Sequence, residues 1–363
     1  MKAIDELISV IVPAYNAEEF IARTLESILR QTHQNIEVLV VDDGSKDSTP
    51  NIVEAYAEAD PRVRLIQQKN GGVARARNKG IAEARGELVA PCDADDLWSP
   101  DKLASQLAVF RSSGSDIGLV YCWTAVINQH DMVMNYDSHP SDSGWVFDRM
   151  CKGNLIGNGS ACLMSKQAVL DAGGYDASLR DQNAQGCEDF KLYLRISQSH
   201  TFGVVPAYAV GYRHTDGNMS SDIDQMLRSY DIVIDEVAKQ RPEKTTELRN
   251  GRAELIDWFR LKALNNQRWL EFFGLQIRLM RYDFKFAIKS IRWGILRPVY
   301  SQLKWAILKH IRKRPLAPGE IVPGEHKFIG PEGSSALHTV GKWPMGGAAI
   351  SREVITQPID KVL

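Results

Sequence analysis

Short apolar runs rich in β-branched residues alternate with helix-length amphipathic stretches through the first third of the chain, and few folds accommodate that alternation. Leu7 to Val12, Ile36 to Val41, Arg62 to Ile66 and Glu87 to Pro91 read as four strands. Between the first two, Phe20, Ile21, Leu25, Ile28 and Leu29 recur at helical spacing, which predicts a helix ending near Gln31. Asn16 followed by Glu19 reads as the cap of that helix with a reciprocal carboxylate. Ser48 before Thr49-Pro50 opens a second helix, and Ala74 to Ala84 is a third. Strand, helix and strand in succession are the units of an α/β fold with a mostly parallel sheet flanked by helices.

The remainder divides by composition. Apolar patches at 117–127 and 202–210, with a helix from about 188 to 199, read as the second half of the same sheet, so residues 1–220 are expected to form one domain. Long helical periods over 222–275 begin a C-terminal helical extension, 221–314. Within it, Arg278 to Arg314 holds eleven Lys or Arg against the single acid Asp283, interleaved with Phe284, Phe286, Trp293, Tyr300 and Trp305. Gly and Pro residues after Pro315 predict a loosely ordered tail over 315–363.

Composition excludes several classes. With 44% hydrophobic and 25% charged residues, the chain is neither collagen-like nor wholly disordered. A net charge of −1 offers no general case for nucleic-acid binding, and no recognition motif accompanies the basic segment. Cys92, Cys122, Cys151, Cys162 and Cys187 are widely spaced, without a C-x-x-C pair or zinc-type His spacing, as expected of reduced thiols in a cytoplasmic protein. The N-terminus is unlike a signal peptide, and no apolar stretch is long enough to span a bilayer.

Ligands of open parallel sheets bind at the carboxyl ends of strands. Three polar clusters stand at three such ends: Pro13-Ala14-Tyr15-Asn16, Asp42-Asp43-Gly44-Ser45 and Asp93-Ala94-Asp95-Asp96. Each alone has the composition of a turn. Their recurrence at successive strand ends favours a site. Asp93 and Asp95, one residue apart after a strand, supply the hard oxygens that suit Mg²⁺ or Mn²⁺, ions that commonly bridge to substrate phosphates.

With SVIVPAYNAEEF, VLVVDDGSKDST, NGGVARARNKGIAEARGELVAPCDADDLWSPDKL, GGYD at 173–176 and CEDFKLYLRI at 187–196 in this order, the chain resembles the family 2 glycosyltransferases over roughly residues 7 to 215. The resemblance implies a GT-A fold, which is Rossmann-like, and an inverting, nucleotide-sugar-dependent transferase. It places Pro13, Ala14, Tyr15 and Asn16 against the donor, with Tyr15 stacked on the base. Asp43 then accepts a hydrogen bond from the base, Asp42 helps hold that loop, and Arg77 faces the base or the phosphates with Asn78 bracing its turn. Asp93 is implied to contact ribose or donor sugar, Asp95 the metal, Asp96 a supporting role, and His214 the diphosphate or the metal. Glu188 lies on the substrate beside Asp189, which aligns with the general base. The family's frequent Trp-Asp after this pair is replaced here by Phe190-Lys191.

These features predict metal-assisted transfer of a sugar, from a UDP-sugar, to a glycan or lipid-linked acceptor. A sugar-nucleotidyltransferase lacks support because PAYN replaces the Gly-rich, Lys-containing loop its first strand would precede. No G-x-G-x-x-G follows Val12, which disfavours a dinucleotide oxidoreductase. A catalytically silent glycan-binding protein would keep the fold without Asp95 and Asp189. Basic and aromatic residues together over 278–314 predict peripheral attachment to an anionic membrane surface.

Overall fold

The computed structural model of the chain describes residues 6–136, 140–214, 222–290 and Phe328. All four expected strands form, as β1 (Ile8–Ala14), β2 (Ile36–Asp42), β3 (Val63–Gln67) and β4 (Leu88–Pro91), separated by α1 (Ile21–Leu29), α2 (Thr49–Ala59) and α3 (Val73–Glu83). There follow β5 (Leu97–Trp98), α4 (Lys102–Ser112), β6 (Ile117–Ile127), β7 (Val133–Tyr136), α5 (Phe147–Met150), a 3₁₀ turn over Gly159–Ala161, β8 (Cys162–Ser165), α6 (Lys166–Asp171) and α7 (Ser178–Asp181). The last elements are α8 (Glu188–Ser197), β9 (Thr201–Arg213), α9 (Ile223–Gln240), α10 (Thr245–Asn265) and α11 (Trp269–Tyr282).

The strands make one mixed sheet in the order β3-β2-β1-β4-β8-β6-β9-β5, with β7 paired to β6. Its first four members are parallel; β8 then joins β4 and β6 antiparallel, and β6 runs parallel to β9. Every residue of β1 and β2 is buried, as expected where helices cover both faces. Register pairs Ala14 with Asp42 and Asp42 with Gln67, while Ile11 pairs with Pro91. The PAYN, DDGS and CDADD clusters are thereby delivered to one edge of the sheet.

The start of α1 differs from expectation. Asn16 does not cap it: the helix begins at Ile21 behind Phe20, with no side-chain cap. Asn16 instead adopts φ +48°, a region asparagine tolerates better than most residues. Its N–H donates to Ser45 Oγ (2.9 Å) and its Oδ1 accepts from Lys46 N (2.9 Å), which ties the first loop to the second. Ile21, Leu25 and Ile28 are fully buried, at spacings of four and three, and each contributes roughly 1.5–3 kcal/mol by leaving water.

Tyr230, Val233, Ile234 and Val237 of α9 belong to the same apolar core as the sheet. A second core joins Leu227 to Ala253, Ile256, Phe259 and Ala263 of α10 and to Leu275, Leu279 and Ala287. Among the described residues no helix is long and apolar enough to cross a membrane. Most of the basic segment expected over 278–314 and of the tail expected over 315–363 lies outside the described residues. Phe328 is described: it packs on Leu97, Ala125, Ile127 and Val133, and its N–H donates to Asp131 O (2.9 Å).

Candidate active site

A buried arginine organises the sheet edge. Arg77, on α3, donates from Nη1 to Asp189 Oδ1 (2.7 Å) at the start of α8, and from Nη2 to Asp93 Oδ1 (2.6 Å) after β4. Its side chain is 5% exposed, against 30% for Asp93 and 24% for Asp189. Arg77 also lies over the Tyr175 ring, 5.2 Å from its centroid. Asn78 braces this arrangement, since its amide donates to Tyr175 O (2.7 Å) and accepts from Tyr175 N (2.9 Å). Gly173 and Gly174, both at positive φ, provide the reversal that brings Tyr175 there.

Burial raises Asp189 above the usual carboxylate range, with Arg77 opposing and Asp93 adding to the rise. Among the described residues no hydrogen bond reaches Asp189 Oδ2. The missing side chain of Gly159 leaves room beside it: a Cβ there would stand 2.8 Å from Asp189 Oδ2 and 2.9 Å from Arg77 Nη2. Glu188 is buried beside it, with Oε2 accepting from Gly186 N (2.8 Å), and burial raises it as well.

The acidic cluster after β4 is held from behind. Ser160 Oγ donates to Asp96 Oδ2 (2.6 Å) and accepts from Asp93 N (2.9 Å). Fully buried Arg213 donates from Nε to Asp95 O (2.8 Å), and its N–H donates to Asp96 Oδ1 (3.0 Å). Burial, then the charges of Asp95 and Asp93, hold Asp96 well above the usual range. Burial and the charge of Asp93 push Asp95 up to about 6, and no side chain of another described residue hydrogen-bonds its carboxylate. Two crowded carboxylates, one of them without a protein counter-charge in contact, suit a hard divalent cation whose remaining ligands come from a diphosphate and water. The donor set therefore fits Mg²⁺ or Mn²⁺ only together with substrate. Among the described residues no three His, Cys, Asp or Glu side chains converge on one metal position, and His214 does not join Asp93 and Asp95 in one. His214 is exposed at the end of β9, with Nε2 3.3 Å from Lys262 Nζ.

On the donor side, Pro13 and Ala14 are buried and Tyr15 is 50% exposed. Asp43 is buried and already engaged: Oδ1 accepts from Gly71 N and Gln68 Nε2 (both 2.7 Å), and Oδ2 from Gly72 N (2.7 Å). Asp42 Oδ1 accepts from Ser45 N (3.2 Å). Both acids thus shape the loops of this edge. Arg75 forms a surface ion pair with Asp181 (3.4 Å). Sequence reasoning missed Gly159, Ser160, Arg213 and buried Lys102, whose Nζ sits 3.9 Å from the centroid of the Trp98 ring. Of these, Arg213 adjoined His214 and Lys102 lay in the motif that ends SPDKL, but neither was given a role.

The start of α8 rests on α9. Cys187 N donates to Ser229 Oγ (3.1 Å), Phe190 stacks on Tyr230 (5.2 Å), and buried Lys191 reaches Asp176 and, at 2.6 Å, Glu236. Although burial works the other way, Lys191 and Ser178 hold Asp176 down to about 2. A carboxylate so depressed stabilises the fold above its ordinary value of 3.8, and the contribution disappears as pH falls through about 2. Lys191→Met is accordingly expected to cost about 2 kcal/mol at neutral pH, a cost that shrinks below about pH 4. Urea unfolding across this range checks it; a cost independent of pH would mean lost packing instead.

Comparison with known proteins agrees with this architecture. Residues 9–170 match the family model described as Glycosyl transferase family 2. The chain is 40% identical over 141 residues to the putative glycosyltransferase EpsH of Bacillus subtilis (strain 168), covering 39% of this chain and 37% of that protein. It is 36% identical over 209 residues to chondroitin synthase of Escherichia coli, covering 54% of this chain and 27% of that one. The chain thus spans well under half the length of these two relatives. Among solved structures, S. aureus TarS 1–349 in complex with UDP-GlcNAc superposes with a TM-score of 0.55 at 20% identity, over 76% of this chain and 81% of that one, and shares the fold.

Proposed function

We propose, for a chain whose residues 9–170 belong to the family 2 glycosyltransferases, that it moves a sugar from a nucleotide-sugar donor, a UDP-sugar, to a hydroxyl of a glycan or lipid-linked acceptor with inversion at the anomeric carbon. The observation that carries this reading is the Arg77 clamp: one cation holds Asp93 and Asp189 at fixed positions while Asp189 Oδ2 is left to accept a proton. TarS, which has the same fold, is described in complexes with UDP-GlcNAc and with UDP, which supports a uridine donor.

In this reading Tyr15 offers its exposed ring to the base, Pro13 and Ala14 form the floor beneath it, and Asn16 and Asp43 keep the two loops in register. Asp95 and Asp93 are the residues that would hold Mg²⁺ or Mn²⁺ together with the donor diphosphate, while His214, which stands outside that pair at the end of β9, is left to contact the diphosphate. When bound, the ion neutralises charge on the departing nucleoside diphosphate. Asp189 removes the proton from the acceptor hydroxyl as it attacks, and Arg77 keeps that carboxylate oriented. Glu188, buried in the first turn of α8, shapes the acceptor side. The basic segment over 278–314 adds an anionic membrane surface as a partner, where a lipid-linked acceptor is found.

Calorimetry with UDP-, GDP- and dTDP-sugars, with Mg²⁺ or Mn²⁺ and with EDTA, tests the donor assignment. Binding of a UDP-sugar that EDTA or Asp95→Ala weakens by more than roughly tenfold is expected, because the diphosphate charge then lies near unscreened carboxylates. Equal affinity with EDTA, or binding confined to another nucleotide, contradicts it.

A further inference from the structure

The site leaves one surface of the molecule unused. Of twelve large hydrophobic side chains exposed among the described residues, eight lie between Trp258 and Ile288. On α11, Leu270 (92% exposed), Phe273 (57%), Ile277 (52%) and Met280 recur at spacings of three and four, which places them along one helical face. Leu275 and Leu279 take the opposite face into the core. Helical residues 284–290 repeat the division: Ala287 is buried, while Phe284 and Ile288 are exposed. Arg281, Lys285 and Lys289 are exposed in the same stretch, and the sequence beyond continues basic to Arg314.

We infer that this ridge, Leu270, Phe273, Ile277, Phe284 and Ile288, enters the acyl boundary of an anionic bilayer while the neighbouring Arg and Lys side chains meet its phosphates. The inference rests on the membrane reading given above and deepens it, because a basic segment alone implies only electrostatic adhesion, which salt abolishes. Two features of the ridge select a lipid surface. Lys is depleted where proteins pack on proteins, whereas Lys and Arg beside Phe, Leu and Ile are the two chemistries of an interfacial helix. A ridge that must also sit beside a cationic stretch has in an anionic bilayer one partner offering both hydrocarbon and negative charge.

The test is co-sedimentation of the full chain with vesicles of phosphatidylcholine, with and without phosphatidylglycerol, at about 0.1 M and about 1 M salt, where the screening length shrinks to roughly 3 Å. The variant is Leu270→Ser with Phe273→Ser and Ile277→Ser, all surface positions, its fold checked by circular dichroism. Wild type is expected to bind anionic vesicles and to retain part of that binding at high salt; the triple variant loses the salt-resistant part by more than roughly tenfold and keeps much of the low-salt part. If the variant binds as wild type at both salt concentrations, the ridge does not insert, and the electrostatic reading stands without it. If wild type binds no vesicle, both fail. A wild-type dimer that the triple variant dissolves, with no salt-resistant vesicle binding, would overturn the inference by making the ridge a surface for a second copy.

Discussion

Asp189→Asn is expected to lower turnover by roughly 10² to 10⁴ while donor affinity stays within about threefold, because the amide keeps the shape of the carboxylate and cannot take the acceptor's proton. The geometry gives this effect a distinctive form. Asp189 Oδ1 is held by Arg77, so the proton goes to Oδ2, on the side that the missing side chain of Gly159 leaves open. Burial raises the Asp189 carboxyl, and a general base must be ionised to act. Wild-type turnover should therefore rise with pH through a value above the ordinary carboxylate range, and that limb should be missing from the variant. If the variant lost donor binding and turned over bound donor normally, Asp189 would be a binding residue. Stopped-time assays of nucleoside diphosphate release, with donor affinity measured by calorimetry, separate the two outcomes.

Arg77→Met should have the largest effect on folding. Its guanidinium is buried between two carboxylates, 2.6 Å from one and 2.7 Å from the other, and removing it leaves both charges facing each other without a cation. Breaking a buried ion pair from one side costs about 3–5 kcal/mol, a large share of the roughly 5–15 kcal/mol that stabilises a typical domain. Arg77→Lys should recover only part, since an ammonium cannot hold two acids in the planar fork that a guanidinium offers. Adding Asp189→Asn to Arg77→Met removes one of the unpaired charges and should return roughly 0.5–3 kcal/mol. Urea unfolding of the single and double variants measures this; a single variant within about 1 kcal/mol of wild type would mean that solvent already screens the pair.

The parallel half of the sheet was legible because its strands are apolar throughout and its helices carry three- and four-residue spacing, which one sequence displays locally. The other half was less so. β5 and β7 span two and four residues, and β8 follows directly on a 3₁₀ turn, lengths at which periodicity has no room to appear. Asn16 misled for a related reason: its side chain bonds outside its own segment, to the loop at Lys46, and so does not start a helix. The polar clusters marked the site edge, but not how it is assembled. Arg77 meets acids 16 and 112 residues away, and the motif that marked it suggested a ligand-facing role rather than a clamp. Ser160 and Gly159 act through one hydroxyl and through the absence of a side chain, neither of which stands out in a sequence.

The most direct measurement is the anomeric configuration of the first sugar released or transferred from a bound UDP-sugar, followed by proton NMR before mutarotation scrambles it. A single displacement with Asp189 taking the proton predicts the configuration opposite to that of the donor. Retention would require two displacements or attack from the leaving group's own face, and contradicts the role given to Asp189.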